Sequence, residues 1–99
     1  MRRVSRDPLR KFWGNPQYKD SEQPLKAWIN EAKGAQWKNP SEVKAKYRHA
    51  SIIPNNRVLL NIHGNTYRLI VAIKYPKGIV YIRFIGTHKQ YDSIDAVNI

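Results

Sequence analysis

Apolar residues change their spacing once along the chain, from helical intervals to alternation. Leu9, Phe12 and Trp13 recur at helical intervals after Asp7-Pro8, which reads as an N-cap followed by a proline at the first helical position. Gly14-Asn15-Pro16 stops that short helix. Leu25, Trp28, Ile29 and Ala32 repeat at three- and four-residue spacing, so a second helix opening at Ser21 carries one apolar face and ends at Gly34. Its tryptophan, beside Leu and Ile at that spacing, reads as core rather than as a base-stacking platform. Asn39-Pro40-Ser41-Glu42 begins a third short helical segment with Val43, Ala45 and Tyr47, followed by a loop over 51–56. From Arg57 the period becomes two. Three strands are predicted, Arg57 to His63, Thr66 to Tyr75 and Ile79 to Ile85, joined by turns at Gly64-Asn65 and Pro76-Lys77-Gly78. Arg2 to Ser5 reads as either an irregular lead or a short edge strand. The tail from Tyr91 is a short helix or an extended end that can pack back through Ile94 and Val97.

The strand register follows from keeping apolar residues on a shared face. A Gly64-Asn65 turn sets Ile62 opposite Tyr67, Leu60 opposite Leu69 and Val58 opposite Val71. In the second hairpin, Ile73 opposite Ile82 and Val71 opposite Phe84 keeps Arg83 out of the core. The helices then cover the face of Val58, Leu60, Ile62, Leu69, Val71, Ile73, Val80, Ile82 and Phe84. The other face carries a row Arg57, Ala72, Arg83, a row Asn61, Arg68, Thr87, and Lys74 opposite Tyr81. The expectation is an α+β domain spanning 1–99, its helices on one face of a small antiparallel sheet.

Charge narrows the function. The 99 residues carry a formal net charge of +11, which calls for a polyanionic partner. There is no cysteine, hence no disulfide or thiolate metal site, and no apolar run of membrane-spanning length; a cytoplasmic protein is the default expectation. From Val43 to Tyr91 there is no Asp or Glu, while Lys44, Lys46, Arg48, Arg57, Arg68, Lys74, Lys77, Arg83 and Lys89 fall in that span. Neither the carboxylate cluster of a two-metal nuclease nor the carboxyl pair of a glycosidase can be built there. His49, His63 and His88 lack the spacing of a zinc site, and no glycine-rich phosphate loop is present. No cofactor or metal is expected.

What remains is metal-free chemistry on a phosphodiester. RNA supplies its own nucleophile, the 2′-hydroxyl, so the protein need only move two protons and stabilise a charged phosphorane. Arg83-Phe84-Ile85-Gly86-Thr87-His88-Lys89-Gln90-Tyr91-Asp92 leaves an apolar strand, turns at Gly86 and gathers polar side chains at the strand end. His88, Arg68, Arg83 and Tyr91 are the candidate catalytic residues. Arg57, Asn61, Lys74 and Lys89 are the candidate RNA contacts.

Trp37-Lys38-Asn39-Pro40, Asn56-Arg57-Val58, Gly64-Asn65-x-Tyr67-Arg68-Leu69-Ile70-Val71 and Tyr81-Ile82-Arg83-Phe84-Ile85-Gly86-Thr87-His88-x-x-Tyr91-Asp92-x-Ile94-Asp95 together resemble the HigB toxins of type II toxin–antitoxin systems. The resemblance runs from Arg2 to Ile99. It implies a RelE/ParE-like fold and a metal-independent mRNA interferase that cuts on the ribosome through a 2′,3′-cyclic phosphate. It also implies silencing by a HigA-type helix-turn-helix antitoxin. Carried over by position, Arg68, Arg83, His88 and Tyr91 fall on the active face, while position 90, often acidic in similar sequences, is Gln. A ParE-like gyrase inhibitor and a non-catalytic rRNA-binding module are the alternatives. A monomer is the default expectation for the free toxin.

Overall fold

Leu25, Trp28, Ile29 and Ala32 are all buried on one face of α2 (Glu22–Gly34), as their spacing requires. The computed structural model, which describes residues 1–99, lays that face against a five-stranded sheet. Before α2 come β1 (Arg3–Val4), α1 (Asp7–Trp13) and a 3₁₀ segment, Pro16–Ser21. After it come α3 (Pro40–Lys46), β2 (Ser51–Ile53), β3 (Arg57–Ile62), β4 (Tyr67–Lys74), β5 (Ile79–Thr87) and α4 (His88–Tyr91). The strands lie in the order β1-β5-β4-β3-β2.

Local chemistry sets the helix starts. In α3 the Asn39 side chain accepts from the Glu42 amide at 3.0 Å, while Glu42 reaches back to the Lys38 amide at 2.9 Å. Asp7 does not cap α1 as expected; it is the first helical residue, and Arg6 stands at the cap without a side-chain bond. Ser21 opens α2 at its N-cap position as expected, but its hydroxyl donates to the Tyr18 carbonyl at 2.6 Å and caps no amide.

The first hairpin has the expected register: Val58 faces Val71, Leu60 faces Leu69 and Ile62 faces Tyr67. The Thr66 amide donates to the His63 carbonyl at 3.1 Å and closes the turn about Gly64-Asn65. These residues, with Ile73 and Val80, meet Leu9, α2, Trp37 and Val43 in one core. Leu25, Leu69 and Val71 are wholly buried, and truncating such a residue to Ala costs about 2–5 kcal/mol.

Four differences from the expected sheet matter for function. β1 pairs in parallel with β5, so the sheet is mixed rather than antiparallel. The expected loop contains β2, which is antiparallel to β3 and joined to it by Pro54, Asn55 and Asn56. Asn55 and Asn56 both take left-handed backbone, φ 67° and 62°, a conformation Asn tolerates better than most side chains.

The second hairpin carries a bulge. Val71 faces Ile82 and Ile73 faces Val80, but Ile70 faces Phe84, leaving Arg83 as the extra residue. The expected pairs Ile73–Ile82 and Val71–Phe84 are therefore corrected by two positions. The bulge reverses the alternation, so Ile82 and Ile85 both pack against the core and Phe84 goes to the opposite face. The expected rows change with it to Arg57–Ala72–Tyr81 and Asn61–Arg68–Gly86, with Lys74 opposite Ile79.

The outer face is also less polar than the expected rows imply. Leu59, Ile70 and Ala72 are buried there. The chain's last residues return to that side, where the Val97 carbonyl accepts from the Asn55 side chain at 3.2 Å and the Ile99 main-chain oxygen accepts from Arg57 Nε at 3.1 Å.

Candidate active site

Thr87 ends β5 in extended backbone and caps α4. Its Oγ1 accepts from the Gln90 amide at 3.2 Å, and Gln90 Oε1 accepts from the Thr87 amide at 2.8 Å. This reciprocal box turns the chain sharply into a single helical turn. His88 and Tyr91 stand three residues apart on it, which places them on one side.

That side meets Arg68. Arg68 Nε lies 3.3 Å from His88 Nε2, Nη2 lies 3.2 Å from Nδ1, and the guanidinium carbon sits 4.9 Å from the centre of the Tyr91 ring. A neutral imidazole has one bare nitrogen, so only one of the two histidine contacts is a hydrogen bond at a time. Tyr91 is backed by Phe84, ring centres 6.3 Å apart, which explains what the bulge gains by sending Phe84 outward.

Gly86 is the Cα partner of Arg68. A Cβ at Gly86 would lie 2.6 Å from both Gln90 Oε1 and the Phe84 ring, so only glycine leaves room for the box and the aromatic support. The chain does not turn at Gly86 as the sequence suggested; Gly86 stays in β5 and the bend comes at Thr87.

Gln90 also joins α4 to the N-terminal layer. Its Nε2 donates to Tyr18 Oη at 3.1 Å, and the Tyr18 ring stacks on Phe12 at 4.4 Å. Beside it, Tyr67 donates to Asp20, and His63 Nε2 lies 3.7 Å from the same carboxylate. Burial, then the Asp20 hydrogen bond, pushes the Tyr67 phenol up to about 12. Sequence reasoning missed the part played by Gln90 and Tyr18. The signal for Gln90 was present, since Thr87-x-x-Gln90 is a capping-box spacing; nothing local marks Tyr18.

The other candidates are dispersed. The Arg83 guanidinium lies over the Tyr81 ring at 5.6 Å, farther down β5 from α4, and is not brought to His88. Arg57 is held by the Ile99 and Asn55 main-chain oxygens. Lys74 lies at the far end of the sheet, and Lys89 is exposed on α4. Asn61 is the exposed Cα partner of Arg68 on the other flank. No three His, Asp or Glu side chains converge closely enough to hold a metal ion. Asp95, after the site, is turned to its own loop; hydrogen bonds from the Asn98 side chain and the Val97 amide lower its carboxyl. No helix is long and apolar enough to cross a membrane.

This arrangement can hold an anion on Arg68 and exchange a proton through a ring nitrogen of His88 at the same point. No curated protein matches the chain. A family described as the RelE-like toxic component of a toxin–antitoxin system, HigB toxin, matches residues 21–94, which include β2 to β5 and all of α4. The match takes in Arg68, His88, Gln90 and Tyr91 but stops short of Tyr18. The chain is a member of the HigB toxin family, a RelE-like toxin whose system implies an antitoxin partner.

Proposed function

We propose that this toxin is a metal-independent endoribonuclease that cleaves mRNA on the translating ribosome. The observation that carries the reading is the Arg68 guanidinium placed against both His88 ring nitrogens and over Tyr91. A phosphodiester entering the site takes the guanidinium as its partner, held by charge-assisted hydrogen bonds, and frees the imidazole beside it. The 2′-oxygen then attacks its own phosphorus, the 2′-hydroxyl proton leaves, and the bond to the 5′-oxygen breaks as that oxygen gains a proton. His88 serves as base or acid in this exchange, and Arg68 stabilises the charge that builds on the phosphorane. Tyr91 fixes the guanidinium from below and offers its ring edge to a base. The products are a 2′,3′-cyclic phosphate and a 5′-hydroxyl. Lys89 meets RNA through charge alone. A HigA-type antitoxin silences the activity.

Induced expression tests this. Growth should stop and transcripts should be truncated. His88→Ala and Arg68→Ala should each relieve both effects, with cleavage falling about 10²- to 10⁴-fold. If the folded variants remain toxic, the site is misplaced. If purified protein blocks gyrase supercoiling and leaves RNA whole, the activity belongs to a different class.

A further inference from the structure

β2 pairs with only the first half of β3, through Arg57, Val58 and Leu59. The Leu60–Ile62 half of β3 therefore has β4 on one side and no strand on the other. A cleft of about 620 Å³ opens along that free edge, between the end of α3 and the Gly64-Asn65 turn. Lys46, Arg48 and His49 line it from one side, and Asn61 and Asn65 from the other. No carboxylate lines it, and none of its cations is held in a salt bridge. Lys46, Arg48 and His49 are all exposed.

The cleft reaches the sheet row that carries Arg68. Gly86, Arg68 and Asn61 form one cross-strand row, and Asn61 belongs to both the row and the cleft wall. Two strand spacings separate Gly86 from Asn61, roughly 10 Å, which a nucleotide or two of splayed RNA can span. A phosphodiester on Arg68 therefore points one flank of its strand over Asn61 toward Arg48 and Lys46.

We propose that this cleft is a substrate subsite that holds the nucleotides flanking the scissile phosphate on one side. Arg48 and Lys46 take the next phosphates, and the Asn61 and Asn65 amides, each both donor and acceptor, meet a base edge. His49 offers a ring for stacking. The proposal rests on Arg68–His88 being the cleavage site, and it adds what chooses and holds the neighbouring bases. RNA is favoured over an acidic peptide as occupant because Asn61 of the cleft lies beside Arg68 in the sheet and the cleft contains amides suited to base edges.

A binding experiment separates this inference from the reading it rests on. Fluorescently labelled 2′-O-methyl oligoribonucleotides of two and of five nucleotides, which lack the attacking hydroxyl, are titrated by anisotropy. The full chain should bind the pentamers at least about tenfold more tightly than the dimers, since the added bases can stack and the added phosphates can pair. The Lys46→Ala/Arg48→Ala/His49→Ala variant should lose that gain and keep its dimer affinity. Its salt slope on the pentamer should fall by about 0.7 for each phosphate-bound cation removed.

The control is a second basic cleft lined by Arg2, Lys33, Lys38 and Lys77, at the far end of β5. Lys33→Ala/Lys38→Ala/Lys77→Ala should weaken both lengths alike and leave the gain intact. If the gain survives in the first variant, or falls equally in the control, the subsite is refuted while Arg68–His88 stands. If Arg68→Ala leaves dimer binding unchanged, or no RNA binds, the cleavage site and the subsite fall together. Circular dichroism of the variants checks that the fold persists; the side chains substituted in the two clefts are all exposed.

Discussion

Arg68 and Arg83 carry the same side chain on adjacent strands, yet only Arg68 reaches His88. Arg83 is the extra residue of the bulge, and its guanidinium rests over Tyr81. Arg68→Lys should cut cleavage about 10²-fold, because a point charge on a flexible stem cannot lie along the imidazole or take a phosphate bidentately. Arg83→Ala should change the rate only by the small amount that one exposed cation without a bond to His88 contributes. Single-turnover cleavage of the same transcript by both variants checks the pair, and equal losses would restore Arg83 to the site. Tyr91 can be dissected in the same assay. Tyr91→Phe keeps the ring beneath Arg68 and should retain most activity. Tyr91→Ala removes about 0.5–1 kcal/mol of cation–π support and should lose several-fold. A large loss in the Phe variant would instead give the phenol a proton to move.

At the scale of elements, the site depends on how β5 hands over to α4. Gly86→Ala would drive a methyl into Gln90 Oε1 and the Phe84 ring. Both are ends of side chains, so the fold should survive with a loss of about 1–3 kcal/mol. The Thr87–Gln90 box would be displaced, and cleavage should fall far more than stability does. Thermal melts read beside cleavage rates decide this, since parallel losses would make Gly86 a packing residue only. The β2–β3 connection makes a separate prediction. Asn56→Ala forces a left-handed conformation on Ala at a cost of about 1–2 kcal/mol. In a domain of this size each kcal/mol lowers Tm by about 4–8 °C. β2 itself escaped the sequence pattern because three residues are too few to show a period of two, and Pro54-Asn55-Asn56 looks like any polar loop. The bulge escaped for a different reason. Ile82, Phe84 and Ile85 fit a strand facing either way, and only the two apolar layers on opposite faces of the sheet resolve them.

The whole molecule adds a pH response and a division between local and distant causes. Tyr67, whose phenol stands at about 12, and Tyr75, raised by burial, are more readily ionised in the unfolded chain, near 10. Their raised values favour the folded state below pH 10, and that contribution is lost as pH rises above 10, for Tyr67 through about 12. Urea unfolding at pH 9 to 12 should show stability falling across this window, with a shallower fall in Tyr67→Phe; an unchanged slope would remove Tyr67 as a source. The sequence by itself determined the faces of α2, the capped start of α3, the register of the first hairpin and the pairing of a basic strand with a His-x-x-Tyr turn. These follow from spacing, turn chemistry and side-chain type, which act over a few residues. Only the tertiary structure decided that Phe84 would support Tyr91, that Tyr18 would brace Gln90, and that the tail would engage Arg57. Each of these joins parts of the chain that packing alone brings together, so no local pattern records them. The same packing separates Arg83 from Arg68 and leaves the second half of β3 open beside the site.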